Sequence, residues 1–215
     1  MRTLLCACCI VAFGISSYLL FNYITDYSYG NTPIESINKA RGKNFVDYVI
    51  HEQSVLDGEI IFFLRKINDD QIVVSYEYVR KTWRGWKWIY GGGHSGSGMS
   101  LIEPSEVLGE PITYHFSNDQ SHTEIGKTPF PMLHGIILNH DIKRVVVKDY
   151  KSGLERQAQI INIRDNFNLY FLFIDSNQGK KFDIITYNIS GQKIYTKTID
   201  EGLSSSLDSG DQESK

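Results

Sequence analysis

The sequence is poor in cysteine, and the little it has is confined to one end. Three cysteines occur in 215 residues, and all of them (Cys6, Cys8 and Cys9) fall in the first nine. Everything after Cys9 must therefore fold without a disulfide. That absence suits a bacterial surface protein, a Gram-positive one above all, better than a small secreted eukaryotic domain. A basic excess is lacking too: 22 Lys and Arg stand against 25 Asp and Glu, a formal net charge of -3. A protein that tracks nucleic-acid phosphates needs a positive field, so no nucleic-acid partner is expected.

Motifs for catalysis and cofactors are also missing. The run Gly91–Gly98 (GGGHSGSG) has no Lys for a phosphate-binding P-loop, and neither Ser95 nor Ser97 sits in Gly-x-Ser-x-Gly. Strands flank it rather than the helix of a dinucleotide site, so a mobile loop is expected. The six histidines (His51, His94, His115, His122, His134 and His140) form neither HExxH nor a helical i, i+4 pair. His115 and His122 bracket a polar loop with Asp119 and Glu124, which reads as solvated. Asp175–Gly179 begins like a calcium loop but lacks the third ligand and the distal Glu, and a hairpin turn accounts for it. No metal and no cofactor are expected.

Charge is absent altogether between Arg2 and Asp26. The 21 residues Leu4 to Ile24 would make a helix of about 31 Å, which matches a hydrocarbon core of about 30 Å. The run reads as an uncleaved signal anchor, with the lipid bilayer as partner of residues 4–24 and the rest outside the cell membrane. The alternative is a signal peptide cleaved after Ser16, at Gly14-Ile15-Ser16, which would release a secreted protein. The three cysteines act there as small hydrophobes.

The rest predicts an α+β chain that is mostly β. A signal anchor over 1–25 precedes a helix plus a three-stranded antiparallel region over 26–98. An immunoglobulin-like β-sandwich region follows over 109–200, then a disordered acidic tail over 201–215. Thr32-Pro33-Ile34-Glu35 is a helix start with cap, N1 proline and capping-box acid. Ile34, Ile37, Phe45, Val46, Val49 and Ile50 are compatible with one helical stripe, but Gly42 weakens its middle, so an early helix end and a strand from Phe45 are the alternative. Strands are expected at 59–66, 71–81 and 84–90, and then at 112–117, 134–139, 142–148, 155–163, 169–175, 182–188 and 193–199, with 186–195 as an edge hairpin. Leu169–Ile174 (LYFLFI) is apolar throughout and reads as a central strand.

The three tryptophans crowd into Trp83-Arg84-Gly85-Trp86-Lys87-Trp88. Strict alternation would put Trp86, Trp88 and Tyr90 on one face, an aromatic platform flanked by Arg84 and Lys87. Trp83, Arg84, Trp86, Lys87, Trp88, Tyr90 and His94 are the candidate binding residues, for a cell-wall glycan or an envelope protein. Core packing competes as the reading of the tryptophans.

Three stretches together carry a resemblance: Thr32-Pro33-Ile34-Glu35-Ser36-Ile37, Gly85-Trp86-Lys87-Trp88 running into Gly91-Gly92-Gly93, and Ile189-Ser190-Gly191-Gln192-Lys193-Ile194-Tyr195. The chain resembles uncharacterised exported proteins of Bacillus-like Gram-positive bacteria with one N-terminal membrane segment. The resemblance implies location and organism type, and it brings neither an activity nor functional residues. The expectation is a membrane-anchored extracytoplasmic binding protein without catalysis. The alternatives are an envelope hydrolase using His94 and Ser95, or a sensor or regulator of a membrane complex.

Overall fold

A computed structural model describes residues 14–17, 29–66, 72–94, 110–118, 127–164, 167–175 and 177–201. Residues 14–17 are helical, and the rest of the expected anchor lies outside the described residues, as does the tail beyond Glu201. Among the described residues no helix is long and apolar enough to cross a membrane.

Strand β1 is short (Tyr29–Gly30), and helix α1 follows at Pro33–Arg41. The Thr32 hydroxyl accepts the Glu35 N–H at 3.1 Å. The Glu35 carboxylate reaches back to the Asn31 N–H at 2.8 Å, one residue earlier than a standard capping box. Gly42, with φ of 121°, closes the helix. Strands β2 (Tyr48–Val55), β3 (Gly58–Lys66), β4 (Ile72–Thr82) and β5 (Gly85–His94) then form an antiparallel meander. With β1 on its edge, the first sheet has order β1-β5-β4-β3-β2, five strands where three were expected.

The second half contributes β6 (His115–Ser117), β7 (Met132–Ile137), β8 (Arg144–Asp149), β9 (Glu155–Gln157), β10 (Gln159–Arg164), β11 (Phe167–Phe173), β12 (Lys181–Tyr187) and β13 (Lys193–Asp200). They make two four-stranded antiparallel sheets, β10-β11-β7-β6 and β13-β12-β8-β9, packed as a β-sandwich. Of the hairpin expected at an edge only the β13 arm lies there, since β12 pairs with both β13 and β8; β11 is internal, as expected. Two expectations need correction. The single strand at 155–163 divides at Ala158, where the buried chain passes from the third sheet to the second. The segment 175–179 is no hairpin turn, because β11 and β12 belong to different sheets.

Three apolar clusters tie the layers together. On β3, Ile60, Phe62 and Leu64 face the second sheet, while Ile61 and Phe63 face α1. On β11, Leu169 and Phe171 point into the first cluster, and Tyr170 and Leu172 into the second. β7 divides likewise: Met132 and Ile136 go one way, Leu133 and Ile137 the other. The order of layers is therefore helix, first sheet, second sheet, third sheet. The middle sheet is covered on both faces, which is why β7 is buried at every residue and β11 is apolar from Leu169 onward.

Candidate functional site

The β4–β5 hairpin carries all three tryptophans, but it does not present them as one platform. Its register runs Tyr78↔Tyr90 and then Val79↔Trp88, so Ile89 is an extra residue at a β-bulge. The bulge reverses the facing of the strand. Trp86 and Trp88, half-buried, pack with Ile37, Phe63 and Val79 beneath α1. Tyr90 turns to the opposite face, 5.2 Å from the Phe130 ring and 6.3 Å from Tyr76. The face shared by Trp86, Trp88 and Tyr90 is thus corrected. The expected loop at 91–98 is corrected in part, because Gly91 to His94 continue β5 opposite Glu77 to Val74. Ser95 and the side chain of His94 lie outside the described residues.

The glycines in β5 have a local cause. A Cβ on Gly91 would collide with the Glu77 carboxylate, and one on Gly92 would come within 2.8 Å of the Tyr76 hydroxyl. Glu77 is fully buried. Its carboxylate accepts from Trp88 Nε1 and, at 3.1 Å, from Arg41 Nε at the end of α1. The Arg41 guanidinium also lies 5.5 Å from the Trp88 ring and 5.0 Å from Phe45. Burial pushes the Glu77 pKa up, and the bonds from Trp88 and Arg41 offset only part of that rise. Glu77 escaped the sequence reading, although one signal was there: a lone charge in Val73-Val74-Ser75-Tyr76-Glu77-Tyr78-Val79, an otherwise uncharged stretch of strand. The cluster is closed to substrate, and its chemistry is that of a charged tie between helix and sheet.

A second polar group lies between the first two sheets. Ser117 donates to the Tyr76 hydroxyl at 2.7 Å, His134 packs edge-on against Tyr76 at 4.9 Å, and His115 lies 5.1 Å from His134. Burial lowers the His115 pKa. Tyr76, Ser117 and His134 are all buried, so no reactant can reach them. His122, Asp119 and Glu124 lie outside the described residues, among which no group of three or more His, Cys, Asp or Glu is placed to hold a metal ion.

The exposed chemistry is at the hairpin tip. Trp83 is 83% exposed, and Leu56, in the neighbouring β2–β3 turn, is 73% exposed. The two turns abut, since the Lys81 N–H donates to the Asp57 carbonyl at 2.8 Å. The Thr82 hydroxyl donates to the Gly85 carbonyl at 2.8 Å and accepts the Arg84 N–H at 3.2 Å, which fixes the tip. Tyr29 of β1 lies under two cations, Arg84 at 4.4 Å and Lys87 at 5.6 Å, and Lys81 sits 5.6 Å from Trp86. Asp57 is held by Arg80 at 2.8 Å and by the Tyr78 hydroxyl at 2.6 Å.

Of the seven predicted site residues, Trp83, Arg84 and Lys87 come together at this exposed end with Tyr29. Trp86 and Trp88 go beneath the helix, and Tyr90 goes into the core. Comparison of the chain with protein-family models, with curated proteins and with solved structures finds no match.

Proposed function

We propose that this chain is a membrane-anchored protein of the cell envelope, of the kind found in Gram-positive bacteria, whose extracytoplasmic body works by binding rather than by catalysis. The uncharged run Leu4–Ile24 is the anchor, and the exposed hairpin tip with Trp83, Arg84, Lys87 and Tyr29 is the binding edge. The second half is read as an immunoglobulin-like sandwich. The strand orders β10-β11-β7-β6 and β13-β12-β8-β9 support that reading, with sequence neighbours crossing between sheets at β7–β8, β9–β10 and β11–β12.

The observation that carries the functional reading is the contrast in exposure. The buried polar groups Glu77, Tyr76, Ser117 and His134 are sealed, whereas a large aromatic with adjacent cations stands in water at the tip. Such an edge recognises an anionic or carbohydrate surface of the envelope. The test is capture of envelope components by the full chain held in nanodiscs, with Trp83→Ala/Arg84→Ala as control. Equal capture by both would remove the binding edge. Protease protection of the region after residue 25 in intact cells would remove the outside orientation.

A further inference from the structure

We infer that the hairpin tip rests on the anionic lipid surface of the membrane that holds the anchor, with Trp83 and Leu56 in the headgroup layer. This deepens the anchored reading above and rests on it.

Tether length brings the tip to the bilayer. Ile24, the last residue of the apolar run, is five residues from Tyr29, which is at most about 18 Å of extended chain. The headgroup layer takes up about 5–8 Å of that distance. Tyr29 pairs with Lys87, two residues from the turn at Gly85, or about 7 Å along the strand. The roughly 10–13 Å left after the headgroup layer exceeds that separation, so the anchor lies within reach of the tip.

Composition decides which end of the sheet faces lipid. From Tyr78 to Tyr90 the hairpin holds Arg80, Lys81, Arg84 and Lys87 and no acid. The acids at this end are Asp57, already held by Arg80, and Glu59, which faces Lys81, so Arg84 and Lys87 carry the surplus; the tether carries one acid, Asp26. The sequence joining β3 to β4, at the opposite end, carries Asp69 and Asp70. A cationic end bearing an exposed Trp and an exposed Leu matches what partitions into an anionic interface: cations near headgroups, with an amphipathic ring and an aliphatic side chain between them. Leu56 adds an independent sign. It occupies a left-handed backbone conformation, φ 34°, that favours Asn or Gly, yet the residue there is apolar and exposed.

The experiment uses the full chain in phosphatidylcholine vesicles, with and without phosphatidylglycerol, doped with a lipid carrying a nitroxide at headgroup depth. Retention through an alkaline carbonate wash is scored first, and tryptophan quenching second. The expected result is retention, with quenching that falls about two-fold or more in Trp83→Phe and is stronger with phosphatidylglycerol. Retention with the same quenching in Trp83→Phe overturns the tip assignment and leaves the anchored reading standing. Loss of the chain in the wash overturns both. Quenching indifferent to phosphatidylglycerol overturns the anionic assignment. Shielding of Trp83 from aqueous iodide only after wall fragments or envelope proteins are added overturns the lipid in favour of those partners.

Discussion

Glu77 and Asp149 are both buried carboxylates, and their environments push them in opposite directions. Burial would raise Asp149, but it accepts from the Ser152 hydroxyl and N–H, from the Gly179 N–H at 3.0 Å and from the Lys151 N–H at 3.2 Å, and the balance lowers its pKa. Glu77 accepts from Trp88 and Arg41 and feels the Arg65 charge, but desolvation prevails and its pKa rises. The consequences for stability have opposite signs. Asp149 contributes stability above its ordinary value of 3.8, and this is lost as pH falls through the lowered folded value. Glu77 favours the folded state below its ordinary value of 4.5, and that contribution is lost as pH rises through the raised folded value. Thermal unfolding across pH should therefore show Glu77→Gln gaining on the parent as pH rises above 4.5, whereas a constant difference would count against an ionising Glu77. Asp149→Ala should cost about 2–4 kcal/mol at neutral pH, read by denaturant titration, since three backbone N–H groups lose their acceptor. At the same scale, Gly91→Ala should be strongly destabilising alone and much less so with Glu77→Ser, a coupling that a double-mutant cycle measures. Sequence reading could not reach this pair, because nothing in alternating hydrophobicity says that a glycine faces a carboxylate across two strands.

At the scale of elements, helix α1 was legible because its signals are local. Thr32, Pro33, Glu35 and Gly42 each act within one turn, and Thr32→Ala should cost about 1 kcal/mol in a chemical melt. The strands were legible as strands for a similar reason, since β-branched and aromatic runs between polar turns fit a pleated surface. Which way the side chains of β5 point was not legible. One extra residue at Ile89 changes the facing of everything beyond it, and a bulge leaves no mark in composition. The change of sheet at Ala158 was hidden likewise, with neither Gly nor Pro at the corner. The Leu56 turn makes a prediction of its own: Leu56→Asn should raise the melting temperature by relieving the left-handed strain, a gain of about 1 kcal/mol or less, while weakening retention of the tip at anionic vesicles.

Over the whole molecule, charge is unevenly spread in a way the total conceals. Setting aside Arg2 and the segment 201–215, with its four acids and one lysine, leaves 20 basic and 21 acidic residues in the body. A near-neutral body with a cationic tip is what contact with a charged surface requires, because a wholly basic domain would bind anions without orientation. The layers are coupled as well. Phe182 belongs to the cluster between the second and third sheets, and the tryptophans all lie on the first. Phe182→Ala should cost about 3–5 kcal/mol, and because the second sheet serves both cores, the loss should appear in tryptophan emission as well as in far-UV circular dichroism, with coincident transitions. A tryptophan transition that stays in place would mean that the first sheet unfolds on its own.

The doubly covered sheet also bears on descent. A strand with one wet face can exchange half its residues freely as lineages separate, whereas β7 and Leu169–Leu172 of β11 are constrained from both sides. Drift is thus directed to the outer strands and turns, and kinship with distant chains should persist longest in two short apolar words, Met132–Ile137 and Leu169–Ile174, and in the spacing between them.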